Sequence, residues 1–292
     1  MLATNAAQLV KISVVGEVAN PAMPGLPASP YLVGAEGEPL LLPMFGGLVY
    51  NVRMGDRALG WAAELIQPGV SIKHPEAGAN MALRAYACLG NRAVVMTGAA
   101  AGALGTVVGK SGRFAEHVIC HFPAEDVEKM APGDKVQVQA YGLGLCLLDC
   151  PEVTVRNCSP ELLAALDLRL GADGRLEVPV KGIVPSVLAG AGAGFGSESS
   201  VISIQVPSPE ALHEAGLADL RFGDLVAIAD WDSRFSHGYL RGSIVVGAVC
   251  QGGSYRRGYG PGLVVLLSSK TGAIRPHVRP EKANLADLLA LP

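Results

Sequence analysis

Aromatic side chains are scarce in this sequence, at 5% of its 292 residues, and charged ones make up only 17%. With half of the residues apolar, so little charge excludes general disorder. So few aromatic rings leave aliphatic side chains to fill the core. Long apolar runs are also missing. No stretch of about 18 uncharged apolar residues occurs, so no membrane-spanning helix is expected. Residues 182–196 come nearest, but five glycines and a proline interrupt them. Met1 to Gln8 has no basic cluster, and no cleavage pattern follows, so the chain reads as cytoplasmic without a secretory leader.

Blocks of one charge are absent too. The chain carries 23 Lys and Arg against 26 Asp and Glu, a formal charge of −3. Nucleic-acid binding needs clustered cations, so it is not expected. The nearest basic patch, Arg256-Arg257 beside Tyr255 and Tyr259, reads as a solvated loop. There are six cysteines, too few for a disulfide scaffold in a chain this long. Cys146, Cys150 and Cys158 are spaced C-x3-C-x7-C, which matches no common zinc pattern. All six read as buried free thiols acting as small hydrophobes.

What the chain has in plenty is glycine, 37 residues, and proline, 20. Many short elements joined by tight turns fit this mix, so the fold class expected is mainly β with a few short helices (α+β). Glycine-rich barrel- or sandwich-like modules would build it. An irregular and β segment spans 1–75, a first β-rich module with one clear helix spans 76–180, and a second spans 181–292. The helix begins at Glu76, where a carboxylate suits the first turn, and its stripe is expected to hold Met81, Ala85 and Cys88. Ala115 to Phe122 reads as a strand with His117, Ile119 and His121 on one face, taken as the solvent face.

Two Gly-Asp turns each feed a strand: Gly133-Asp134 before Lys135 to Ala140, and Gly223-Asp224 before Leu225 to Ala229. Glycine supplies a positive φ, and the aspartate is expected to accept an N–H two residues on. The second strand delivers the richest polar cluster, Asp230-Trp-Asp232-Ser-Arg234-Phe-Ser-His237. If the strand continued, Asp230 and Asp232 would share one face as a carboxylate pair or half of an oxygen-rich metal site. His237, or His74 before the helix, would move a proton, and Arg234 would clamp an anion. The loop Gly252 to Gly262 is long enough to cover a cavity, with Arg256, Tyr259, Gly260 and Gly262 as ligand contacts. The runs Gly98 to Gly105 and Gly190 to Gly196 lack the strand, spacing and acidic residue of a dinucleotide site. No phosphate-binding Walker loop, G-x-S-x-G elbow or H-E-x-x-H helix occurs.

Several of these segments together resemble the DUF4438 family of bacterial and archaeal proteins without an assigned function. They are His74-Pro-Glu with Asn80, Cys88-Leu-Gly-Asn91, Gly109-Lys110, Gly133-Asp134 with Gly142-Leu-Gly144, Arg221-Phe-Gly-Asp224 and Tyr259-Gly-Pro-Gly262. The resemblance runs from about residue 70 onward and implies a mostly β architecture. It also implies that many members carry histidine where this chain has Ser111, Cys250 and Tyr259, so chemistry resting on those histidines does not transfer. The Gly-Asp turns are faintly similar to those of the acetamidase/formamidase family, which points toward a small amide or cyclic amide. The expectation is therefore a hydrolase-like enzyme acting on such a molecule, with room for a divalent metal. The alternative is a non-catalytic small-molecule-binding or oligomeric structural protein. The partners expected are a small-molecule ligand and, in a homo-oligomer, further copies of the chain.

Overall fold

Period-two alternation builds the first half of the molecule into a closed barrel. The computed structural model describes residues 2–21, 31–112, 115–193, 201–206, 209–234 and 237–292. Six antiparallel strands, β1 (Ile12–Val18), β2 (Gly69–Lys73), β3 (Arg92–Val95), β4 (Leu104–Lys110), β5 (Val118–His121) and β6 (Lys135–Ala140), pair in the order β1-β6-β3-β4-β5-β2. The pairing of β1 with β2, Glu17 opposite Lys73 and Val18 opposite Ile72, closes the ring. Val70, Ile72, Val107, Val118, Cys120, Val136 and Val138 fill its interior, together with Leu83 from the helix α1 (Ala77–Tyr86). The segment 1–75 thus supplies two staves of the same barrel as the module that follows it.

α1 starts where the sequence places it. The Glu76 carboxylate accepts the N–H groups of Gly78 at 2.7 Å and Ala79 at 2.5 Å. Its buried face differs from the expected stripe: Asn80, Leu83 and Arg84 are covered, whereas Met81 is 70% exposed. The alanines carry too little apolar contrast to fix the phase, and Leu83 docking under Gly16 fixes it instead.

The second half is an open, curled sheet. β7 (Leu176–Val180) pairs in parallel with the late strand Ile274–Val278, outside this sheet. The sheet itself runs β8 (Gly182–Val184), then β11 (Leu225–Asp232), β12 (Gly238–Gln251), β13 (Gly262–Ser269), β10 (Val201–Ile204) and β9 (Ala189–Ala193) at the far edge. Part of the run Gly190 to Gly196 is therefore in the edge strand β9, and residues 194–196 of that run lie outside the described residues. One large core joins this sheet to the outer wall of the barrel. Val108 and Ile119 from the barrel share it with Val226, Ile228, Val249 and Leu267. Short helices at Ala124–Val127, Pro160–Ala165, Pro209–Glu214 and Leu285–Leu288 complete a mainly β fold.

The Gly-Asp turns are alike in detail. Gly133 has φ +93° and Gly223 φ +90°. Each aspartate reaches back three residues rather than forward two: Asp134 accepts from the Ala131 N–H and Asp224 from the Arg221 N–H, both at 2.8 Å. A third copy, Arg53-Met-Gly-Asp56, has the same geometry, with Gly55 at φ +94° and Asp56 accepting from the Arg53 N–H at 2.7 Å. The second and third copies pair across the two halves, Gly55 N–H to Phe222 C=O at 2.9 Å and Phe222 N–H to Asp56 C=O at 2.8 Å. Asp224 is buried and also takes the Asn284 amide at 2.8 Å, whereas Asp134 is half-exposed. Asp224→Ala is thus expected to destabilise by roughly 3 kcal/mol and Asp134→Ala by roughly 1 kcal/mol, read from urea melts. Equal losses would mean that burial adds nothing to the turn.

Candidate functional site

The polar cluster at the tip of β11 is arranged differently from the carboxylate pair expected. A bulge falls between Ala229 and Trp231, and Asp230 sits in it at φ +55°, off the regular alternation. Its Oδ1 accepts the Gly242 N–H at 2.6 Å and so pins the facing strand. Asp232 is engaged by Arg234, whose Nε lies 3.0 Å and Nη2 2.9 Å from the carboxylate oxygens. That pairing holds the Asp232 carboxyl below its ordinary range and commits Arg234 to a local ion pair. His74 is also used locally: its Nδ1 accepts the Glu76 N–H at 3.1 Å, and its own N–H donates to Asn80 Oδ1 at 2.9 Å. Among the described residues, no three or more His, Cys, Asp or Glu side chains gather as a metal-holding group. The four expected catalytic residues therefore do not form one.

The loop Gly252 to Gly262 does lie over other groups. Its backbone is tied to the segment 58–66 by Leu65 N–H to Gly253 C=O and Gly252 N–H to Ile66 C=O, each 2.9 Å. Glu64, buried, accepts from the Tyr255 N–H at 2.5 Å and the Ser254 hydroxyl at 2.9 Å. Arg256 stacks 4.2 Å from the Tyr259 ring centre, with its Nε 3.8 Å from Glu64. Tyr259 in turn packs on the cluster of Met44, Phe45, Leu65 and Ala115. Gly260 and Gly262 have a packing reason to be glycine: a Cβ on either would meet the Ile204 carbonyl oxygen or the Gln251 side chain.

Beneath that cluster is a polar group that the sequence reading passed over. In β2, Val70 and Ile72 point into the barrel, so Ser71 points outward. Its hydroxyl donates to Gln67 Oε1 at 2.6 Å, and His117 Nδ1 lies 3.0 Å from the same oxygen. An amide oxygen can only accept, so with Gln67 in this orientation Nδ1 is the donor of His117 and Nε2 is left as an acceptor. Ser111 holds the backbone, its hydroxyl accepting the His117 N–H at 2.9 Å. Gly46 lets the ring in, because a Cβ there would strike the imidazole. The Gln67 Nε2 is buried and makes no hydrogen bond among the described residues.

His117 is only 8% exposed and His121 5%, so neither is on a solvent face. The alternation gives their side of the strand correctly. What covers that side is Gly46 and Gln67 over His117 and Pro292 over His121, contacts that no local pattern reports. Burial, with Lys73 and Arg84 nearby, pushes the His117 imidazole down to about 4. Both cations share the Glu116 carboxylate, at 3.5 Å and 3.1 Å. Cys250 lies at the same junction, its thiol donating to the Lys110 carbonyl at 3.1 Å and pushed up to about 12 by burial. The positions where the family resemblance implies histidines thus carry an N–H acceptor at Ser111, an unreactive thiol at Cys250 and a packed ring at Tyr259. Two signals in the sequence could have found this site: Ser71 as a polar residue inside an apolar strand, and Gly46-Gly47 beside it.

No curated protein matches the chain. Among solved structures, the crystal structure of TM1086 is similar over 98% of both chains, with 39% sequence identity and a TM-score of 0.90. The N-terminal domain of unknown function DUF4438 matches residues 31–164, and the C-terminal domain of that name matches residues 165–289. Together these two matches cover residues 31–289, and the chain belongs to the DUF4438 family.

Proposed function

We propose that this chain acts on a small polar amide or cyclic amide at the junction of barrel and sheet, as a hydrolase-like enzyme with His117 as proton acceptor. The observation that carries this reading is the buried His117 ring with its Nδ1 held 3.0 Å from Gln67 Oε1, an arrangement that leaves Nε2 as the acceptor. An amide presents a carbonyl and an N–H side by side. The buried Gln67 Nε2 is a donor lacking a partner, and His117 Nε2 is an acceptor. Two cations on one carboxylate beside the ring favour a polar or anionic substituent. Arg256, in the covering loop, is held by Glu64 and the Tyr259 ring. A divalent metal would have to be held by a set other than Asp230, Asp232, His237 and His74.

The low basicity of His117 favours a second reading, a binding protein in which the imidazole only accepts a hydrogen bond. A base this weak transfers protons poorly near neutral pH. Screening amides, lactams and hydantoins for both turnover and binding separates the two. With an active compound found, His117→Ala is expected to lower kcat/KM about 100-fold or more, whereas Asp230→Ala leaves it unchanged. The rate should stay level from pH 8 to pH 5 and fall as pH drops through about 4, where the imidazole takes its proton. The opposite ranking of the two variants would move the site back to the β11 tip. Binding without turnover would leave the second reading.

A further inference from the structure

The β11–β12 hairpin carries a second set of polar groups that the junction does not use. Trp231 lies opposite Tyr239 and Asp232 opposite Gly238. The ladder ends there, and by alternation Ser233 falls on the side of Trp231 and His237 on the side of Tyr239, which lies opposite Trp231. That side is turned toward the far edge of the sheet: a Cβ on Gly192 of β9 would run into the His237 ring. The curl of the sheet has brought its edge strand back against the hairpin.

Among the described residues, Trp231 Nε1, Ser233 Oγ and both His237 ring nitrogens are buried and make no hydrogen bond. Ser233 is only 1% exposed. Each buried polar atom left unpaired costs about 1–3 kcal/mol, and four on one short hairpin face are more than local packing readily offsets. Two of the groups must donate, the indole N–H and one imidazole nitrogen, and the serine can donate as well. Burial keeps His237 neutral at pH 7, and the Arg234 guanidinium, beside Ser233 in sequence, is occupied by Asp232. With no cation offered to it, an anion would be poorly held here.

We infer that the seam between the β11–β12 hairpin and β9 binds a small uncharged molecule rich in oxygen acceptors with at least one N–H or O–H of its own. Trp231 Nε1, Ser233 Oγ and His237 are the groups that grip it. The chain has two tryptophans, so Trp61→Phe leaves Trp231 as the sole emitter. In that variant, acetamide, urea and succinimide are titrated at pH 7, with succinate as the charged counterpart. The expected result is a saturable change in emission with at least one uncharged probe and none with succinate. Ser233→Ala and His237→Phe should each weaken the response roughly tenfold. His117→Ala should leave it intact, which separates this seam from the junction site.

Failure of all three uncharged probes to saturate would overturn the inference. So would a response that Ser233→Ala and His237→Phe leave unchanged, or one that succinate reproduces. If Ser233→Ala raises the melting temperature while no probe responds, the seam holds water alone.

Discussion

Acidifying the protein from pH 7 to pH 4 is expected to lower its folding stability by several kcal/mol. His117 and His237 are both pushed down to about 4 by burial, from an ordinary value of 6.5. Between those two pH values the unfolded chain binds the protons and the folded one does not. Stability is then highest above pH 6.5 and is lost as pH falls toward 4, by about 3 kcal/mol for each histidine. His121 shifts in the same direction and adds to the loss. Asp224 acts oppositely, since burial raises its carboxyl, and it begins to offset the decline at the acid end. Urea melts at half-unit steps from pH 7.5 to pH 4 would show the slope. The double variant His117→Gln, His237→Gln should flatten most of it. A level curve in the unsubstituted protein would mean that both rings are open to water.

Gly260→Ala is expected to prevent stable folding. An added Cβ would land on the Ile204 carbonyl oxygen and lie 3.1 Å from both Ile204 C and Val206 Cγ1. Backbone cannot step aside cheaply here, because Ile204 N–H donates to the Pro261 carbonyl at 2.8 Å. Opening that contact would detach β10 from β13, so the loss should reach roughly 4 kcal/mol or more. Gly258→Ala makes the useful control. Nothing lies within 4 Å of its Cβ position, although its φ of +79° still strains an alanine. Soluble yield and thermal melts would rank the two, and a well-folded Gly260→Ala protein would contradict the packing described for β10.

Much of the fold is legible in local chemistry. Alternation finds the barrel strands, glutamate at the start of α1 finds its cap, and glycine before aspartate finds two of the tight turns. Arg53-Met-Gly-Asp56 repeats Arg221-Phe-Gly-Asp224 almost letter for letter, yet no strand follows it, so a search for strand starts passes it by. The candidate site is less legible because its parts are positioned by contacts far apart in sequence. Gln67 and His117 are 50 residues apart and meet only where β2 and β5 lie side by side. The Asp232 and Arg234 pair is the reverse case: residues two apart satisfy one another, which turns an apparent catalytic cluster into a local clamp. Asp230 misleads for a different reason, since a bulge shifts it off the ladder and spacing alone cannot reveal a bulge.

The closure of the barrel also governs how the chain is made. β1 pairs with β6 over six residues, Ile12 opposite Ala140 at one end, and with β2 over only two. A ribosome adding about 5–20 residues per second would need on the order of ten seconds to travel from one partner to the other. Through that interval the first strand waits with one edge nearly unpaired, open to pairing with another nascent chain. Slowing translation within residues 20–135 should therefore raise the demand for chaperones, whereas the same pause placed after residue 140 should not.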